Sequence, residues 1–446
     1  MIFNFLKYLK PIWYFNLRPK KDFGYFPSQN QFNFSTHGIV IDNDYKTDVA
    51  KQRDLAWTGF QIGYIDLNNV EGIDVWQKTN IPIEDEYRFL NKNFHKAWVL
   101  YVLIVRLVTF KNPIIEINAF IKNRKVQRID YSKKPFLFEE YDEFKSKLIE
   151  SNPLVSVIIP TLNRYQYLKD VFKDLENQTY KNFEVIAVDQ SDPFEEDFYK
   201  NWGLDLKFWY QKEKALWKAR NEAIKKSNGD YILLYDDDSL VDENWIEEHL
   251  KCLDYFKADL SSGVSISVIG DEVPKHYSYF RWSDQLDTGN VLLKKDVFKK
   301  IGLFDQQFEK ERMGDGEFGL RVYLNGYKNI SNPKAKRIHL KVSEGGLRQM
   351  GSWDGWRPKK LFGPRPVPSV LYLSRKYFGN KISIFYILNS ILPSLIPYKF
   401  KGNKFLKGLT FLLIPLLLPL VVYQIMKSWN LATKKMKEGE KISSIN

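Results

Sequence analysis

One stretch of this chain constrains the fold more than any other. Between Leu154 and Phe256, apolar strands alternate with amphipathic helices, and carboxylates stand at the strand ends. Leu154–Ile159 is a strongly apolar run closed by Pro160, Phe183–Asp189 is a second, and Tyr231–Tyr235 is a third. Between them, Tyr165–Asn177 places Leu168, Val171, Phe172 and Leu175 on one helical face, and Ala215–Ser227 is a second helix stopped by Asn228-Gly229. Asp242–Phe256 is a third helix. This alternation predicts βαβ units and an α/β fold with a mainly parallel sheet. Ligands of such sheets bind beyond the C-terminal strand ends. The polar residues fall there: Thr161-Leu162-Asn163-Arg164, Asp189-Gln190-Ser191-Asp192 and Asp236-Asp237-Asp238.

The rest of the 446 residues divides around this unit into an N-terminal accessory region (1–150), the α/β unit (151–350) and a tail (351–446). In the first region, Gly38–Ile41 reads as a short strand, Ala97–Phe110 as a buried helix or strand pair, and Ile114–Ile121 as a strand. No signal-peptide pattern is evident at Met1–Phe15. A single cysteine, Cys252, excludes a disulfide scaffold. The net charge of +13 suggests nucleic acid, but its location excludes that partner. From Arg357 onward there are 16 Lys and Arg against two Glu, so the preceding 356 residues sum to −1. The tail also holds Gly363–Pro368, a linker or turn, and two apolar segments, Ile382–Pro397 and Leu409–Met426. The second has 18 uncharged residues, near the length of a membrane span, but Pro415 and Pro419 interrupt it. Lysines flank it on both sides, so it reads as a span or an interfacial hairpin on the cytoplasmic face of an anionic membrane, with a buried core hairpin as the bland alternative.

Asp236-Asp237-Asp238 is the sharpest chemical signal. Three adjacent carboxylates repel one another, and a divalent cation (Mn or Mg) would offset that repulsion. A solvated turn capping the next helix would also explain them. Asp189 could bond a nucleobase or cap a turn, and Arg220 could pair with phosphate or sit in a surface ion pair. Arg164 is a weaker candidate of the same kind. Gly289 in Thr288-Gly289-Asn290 permits close approach of a ligand or simply makes a turn. Asp315 stands at a helix start, as a cap or as a general base. Glu317 and Arg321 are spaced for an ordinary i,i+4 pair. His339 precedes the glycine-rich loop Ser343–Arg348 and could complete a metal shell. No hydrolase triad, Walker loop or Rossmann glycine fingerprint is present.

Taken in order, Val155–Arg164, Val188–Ser191, Ala219-Arg220-Asn221, Asp236-Asp237-Asp238, Thr288-Gly289-Asn290 and Gly314-Asp315 resemble the family 2 glycosyltransferases of the GT-A fold. The resemblance covers about residues 154 to 350. It implies inverting transfer of a sugar from a nucleotide-diphosphate donor, UDP-type above others, to a glycan or lipid-linked acceptor of a cell-surface polysaccharide. It implies that Asp189 reads the base, with Pro160, Thr161, Arg164, Arg220 and Asp236 around the nucleotide. Asp238 and His339 would bind the metal, Asp315 would be the base, and Gly289, Asn290 and Glu317 would meet the acceptor. Three features depart from the family pattern. Gln190 replaces an Asp, Gly314 replaces the Glu of Glu-Asp, and the Gln-x-x-Arg-Trp signature of processive synthases is missing. The last favours adding one or few sugars. A nucleotidyltransferase would carry a glycine-rich loop after the first strand, which this chain lacks. A non-catalytic membrane scaffold would not need intact Asp236, Asp238 and Asp315.

Overall fold

The computed structural model describes all residues except 69, 268–272, 343–344, 348–353, 397–403 and 446, and describes no side chains for 392 and 404–415. The ends of the Ser343–Arg348 loop, Lys399 and Lys401 therefore lie outside the described residues, as do the side chains of Leu409–Pro415.

The sheet starts from β1 (Val155–Thr161), buried along its whole length between two parallel neighbours, β2 (Phe183–Asp189) and β4 (Tyr231–Tyr235). Its register pairs Thr161 with Asp189, so the polar ends of two strands finish level. β3 (Leu206–Tyr210) adds the edge beyond β2. Beyond β4 the direction changes: β8 (Asn290–Lys294) runs antiparallel to β4 and to β6 (Leu260–Ser267). β6 then pairs parallel with β9 (Asn329–His339), which pairs antiparallel with β5 (Ser239–Val241) and β7 (Arg281–Trp282). The order is β3-β2-β1-β4-β8-β6-β9-β5. The sheet is thus mixed, where the sequence suggests a mainly parallel one. The parallel half needs its crossover helices, whose periodicity is visible; the antiparallel half has short or irregular connections that leave no such pattern.

Helices α7 (Tyr165–Glu176), α8 (Leu216–Lys226) and α9 (Trp245–Tyr255) cover the sheet, with Leu168, Val171, Phe172 and Leu175 of α7 buried as their spacing predicts. Two shorter helices, α10 (Lys295–Ile301) and α11 (Gly314–Leu324), follow β8. His249 of α9 is fully buried; its Nδ1 lies 2.9 Å from Ser261 Oγ and its Nε2 3.0 Å from Asn290 Oδ1. Burial pushes this imidazole down to about 4. A folded-state value below the unfolded one favours neutral His, so its contribution is complete above about pH 6.5 and is lost as pH falls toward 4. We expect His249 to remove up to about 3 kcal/mol of stability over that window. Denaturant unfolding at pH 7 and pH 4 checks this: in His249→Gln, the acid-side loss should shrink by most of that amount.

The N-terminal region packs α1 (Leu6–Leu9), α2 (Asp48–Gln61), α3 (Ile83–Asn93), α4 (Lys96–Val108) and α5 (Pro113–Asn123), and the short α6 (Lys147–Glu150) leads into β1. Two expectations are corrected here. Ile114–Ile121 is helical, because Asn112 caps the N–H groups of Ile114 and Ile115 and Pro113 presets the first turn. Gly38–Ile41 forms no strand; no neighbouring strand reaches it, and Val40 is 81% exposed. The region shares one aromatic core with the sheet: Phe3 stacks on Phe89 at 3.9 Å, and Tyr25 meets Trp282 edge-on at 4.7 Å. The chain's many aromatics largely fill this core.

In the tail, α12 (Pro368–Leu395), interrupted at Gly379, packs against α13 (Lys404–Glu438). Phe385 and Ile387 of the first apolar segment join the core, and Leu371, Tyr372 and Ala432 do so outside the two segments. Among the described residues, no helix is long and apolar enough to cross a membrane.

Candidate active site

The topology gathers the chemical residues at one end of the sheet. β4 ends at Tyr235, which delivers Asp236-Asp237-Asp238. Antiparallel β8 pairs Asn290 with Tyr235 and so brings Thr288 and Gly289 alongside Asp236. β5 pairs Ser239 with His339, which sets His339 next to Asp238.

The three carboxylates are offset by arginines. Arg220 Nη2 donates to Asp236 Oδ1 at 2.9 Å and to the Thr288 carbonyl, and Arg337 Nη1 donates to Asp236 Oδ2 at 2.9 Å. Asp237 accepts from Thr161 Oγ1 at 2.8 Å and from Arg164 Nη1 at 2.8 Å. Even so, burial pushes the Asp237 carboxyl up to about 6. Asp238 lies 3.2 Å from Arg164 Nη1 and 3.4 Å from His339 Nε2. The repulsion that the sequence assigns to a cation is therefore already met in part by Arg164, Arg220 and Arg337. The triplet leads into a short strand, so it does not cap a helix.

Asp236 and Asp315 line the same cleft, together with Arg220, Trp217, Thr288, Lys310 and Arg312. Asp315 is half-buried in the first turn of α11, its Oδ1 accepting the Gly316 N–H at 2.8 Å. Met313, just before it, holds a left-handed φ of 77°, a strained conformation for a side chain of this size.

Residues 156–314 match the family model described as glycosyl transferase family 2. The chain is also 30% identical over 270 residues to an uncharacterised glycosyltransferase of Rickettsia typhi, an alignment spanning 54% of this chain and 83% of that one. The chain belongs to glycosyltransferase family 2. It is a nucleotide-sugar glycosyltransferase. It is 30% identical over 145 residues to chondroitin synthase of Escherichia coli, but spans only 20% of that protein. Over 206 residues it is 22% identical to a dolichyl N-acetyl-glucosaminyl phosphate glucuronosyltransferase of Methanococcus voltae, covering 40% of this chain and 64% of that one. Staphylococcus aureus TarS 1–349, in a complex with UDP-GlcNAc, aligns at a TM-score of 0.41 and 18% identity over 64% of this chain and 92% of that one.

The glycosyltransferase departs from its family pattern in ways the packing explains. Gly314 lies flat against the Trp217 indole, where an added Cβ would come within 2.4 Å of the ring. No glutamate fits there. Gln190 Oε1 accepts the Ala215 N–H at 2.6 Å, so it braces the entry to α8. Glu309 completes that brace, accepting the N–H groups of Leu216 and Trp217 at 2.6 and 3.0 Å.

Some expected site residues stand apart from the cleft. Asp189 is fully buried, with Oδ2 accepting from Tyr165 and Tyr199 at 2.6 and 2.8 Å and Oδ1 from the Ser191 N–H. Pro160 is buried in β1. Asn290 is fully buried and uses its amide to tie the carbonyls of Val264 and Ala335. Glu317, also fully buried, pairs with Arg321 at 2.9 Å and accepts from Tyr377 at 2.6 Å. The polar groups of Asp189, Asn290 and Glu317 are thus taken up by partners within the scaffold. Gly289 acts as spacer: a Cβ would come within 2.2 Å of Asp236 Oδ2 and 2.3 Å of Arg337 Nη1.

Asp236, Asp238 and His339 each offer an atom within 4.8 Å of the others, a carboxylate and imidazole set that suits Mn or Mg. Arg337 and Asp287 escaped the sequence reading. Arg337 is fully buried and also grips Asp287 at 2.8 Å. The signal was the alternation Ala335, Arg337, His339 on the buried face of β9.

Proposed function

We propose that the enzyme transfers a sugar, with inversion, from a UDP-type donor to a hydroxyl of a lipid-linked or cell-surface glycan, working at the cytoplasmic face of the cell membrane. The observation that carries this is the single cleft lined by Arg220, Asp236 and Asp315. Inversion needs one carboxylate to take the acceptor proton as the hydroxyl oxygen attacks the anomeric carbon. We assign that role to Asp315, which lines the same cleft as Asp236 and Arg220. The sugar–phosphate bond breaks on the opposite face, and its electrons leave with the diphosphate. Arg220 is fixed on the Asp236 side of the cleft, where its guanidinium can meet that charge. A Mn or Mg ion held by Asp238 and His339, beside Asp236, would add charge neutralisation there. The names of the E. coli and M. voltae relatives support a glycan or lipid-linked acceptor, and the basic tail supports work at a membrane.

Calorimetric titration with UDP, GDP and dTDP, each with and without Mn, tests this. We expect one nucleotide to bind, with an affinity that drops at least tenfold without Mn or in Asp238→Ala. Binding unaffected by both would remove the metal from the proposal, and no binding of any nucleotide to the folded protein would remove the donor site.

A further inference from the structure

The α4–α5 hairpin lies away from the cleft and carries an unusual surface. Leu100, Ile104 and Val108 of α4 are 46, 51 and 66% exposed, and Ile114 and Ile121 of α5 are 70 and 48% exposed. At the turn, Phe110 is 97% exposed and sits at a φ of 58°, a left-handed conformation that a bulky side chain seldom adopts. An aromatic ring is thus held out at the tip, with no ring partner among the described residues to repay either cost. A contiguous apolar patch of this kind marks an interaction surface.

The hairpin is also held stiffly from below. Arg106 Nε donates to Glu116 Oε2 at 2.7 Å, Tyr87 donates to the same carboxylate at 2.9 Å, and Arg106 also donates to Tyr8 of α1. The buried ion pair uses up the only acid between Lys96 and Ile129. What remains at the surface is one sign: Lys111, Lys122, Arg124, Lys125 and Arg128 are all exposed. Lys7 of α1 lies close enough to Arg106, Lys111 and Lys381 that burial and these cations hold its amine below its ordinary value. Tyr8 links the hairpin to the tail, packing edge-on against Phe385 of α12 at 4.8 Å, next to the exposed Ile384 and Leu388.

We infer that the α4–α5 hairpin is a membrane-docking face, seated in an anionic lipid leaflet with Phe110 and Ile114 inserted and the cationic fringe on the headgroups. Each helix is too short to span hydrocarbon, so the hairpin lies in the interface. Lys122 is paired with Glu84 at 2.9 Å, but Lys111, Arg124, Lys125 and Arg128 leave the fringe cationic in balance, which matches a leaflet of anionic headgroups. This deepens the membrane part of the function proposed above and is independent of the cleft chemistry.

The test is flotation of the full chain with vesicles of phosphatidylcholine alone and vesicles enriched in phosphatidylglycerol. We expect binding to the anionic vesicles that weakens about tenfold or more in Phe110→Asp/Ile114→Asp, although the tail is intact. Lys111→Glu/Lys125→Glu should weaken the preference for anionic lipid, the intact basic tail supplying what remains. A second readout places a polarity-sensitive dye on Phe110→Cys; Cys252 is buried and stays unlabelled. Its emission should shift to the blue on anionic vesicles. Unchanged vesicle binding in the Asp variant, or a dye that stays in water, would overturn the inference. So would loss of an oligomer in that variant with vesicle binding intact, which would make the patch a protein interface. Nucleotide titration of the same variants should match the parent, so failure of the docking face and failure of the donor site are read separately.

Discussion

Asp315→Asn is expected to lower kcat about a thousandfold while leaving nucleotide affinity within about twofold. The substitution keeps size and shape, and the amide oxygen can still accept the Gly316 N–H that orients the carboxylate. What it removes is the ability to take a proton from the acceptor. General-base assistance contributes roughly a hundredfold to ten-thousandfold, so the loss should appear in turnover. Steady-state kinetics with donor hydrolysis as a side readout separates the steps. Nearby Glu309 and Glu311 also line the cleft, but Glu309 is committed to the backbone of α8 and Glu311 accepts the Ser369 N–H. A drop of less than tenfold would mean that Asp315 is not the base and that Glu311 is the next carboxylate to replace.

Arg337→Met is expected to destabilise the protein by about 1–3 kcal/mol and to weaken nucleotide binding at the same time. The guanidinium is buried between Asp236 and Asp287, and it holds the Asp287 carboxyl down to about 2. Removing it leaves the partly exposed Asp287 carboxylate without its partner and Asp236 with Arg220 as its remaining counter-charge. Thermal unfolding with and without nucleotide would measure both effects. Adding Asp287→Asn to Arg337→Met should recover part of the stability, because one of the stranded charges is then gone. A single variant that melts with the parent would show that the ion pairs add nothing net.

Much of the fold could be read from the chain because its parallel half is built from long, clean periods. β1, β2 and β4 are apolar runs ending at charged residues, and α7 shows its buried stripe plainly. The candidate site was legible where chemistry and strand ends coincide: Asp236 and Arg220 line one cleft, and Asp238 lies beside His339. It was not legible where a role depends on pairing distant segments. Nothing local to Arg337 reveals that Asp236 and Asp287 close around it, and nothing local to Asp189 reveals that Tyr165 and Tyr199 occupy its oxygen. Ile114–Ile121 misled because β-branched residues suggest a strand, whereas the cap at Asn112-Pro113 decides the segment. Asn290 and Glu317 misled in the opposite sense, since polar residues near a motif suggest contact with a ligand when their partners are inside the scaffold.

The pairing of β5 with β9 sets a rule for how this site can change over evolutionary time. Arg337 and His339 face inward only because they are two apart on a strand whose side chains alternate, while Lys336 and Ile338 face out. Inserting or deleting one residue just before Arg337 would turn both inward groups outward together, and one between Arg337 and His339 would set them on opposite faces. Gains or losses in pairs would preserve the facing. Length variation across descendants of this chain should therefore be absent from Lys336–His339 and be absorbed instead at the register shift before Lys336, where β9 already carries three residues that β6 does not match, or in the loop preceding the strand.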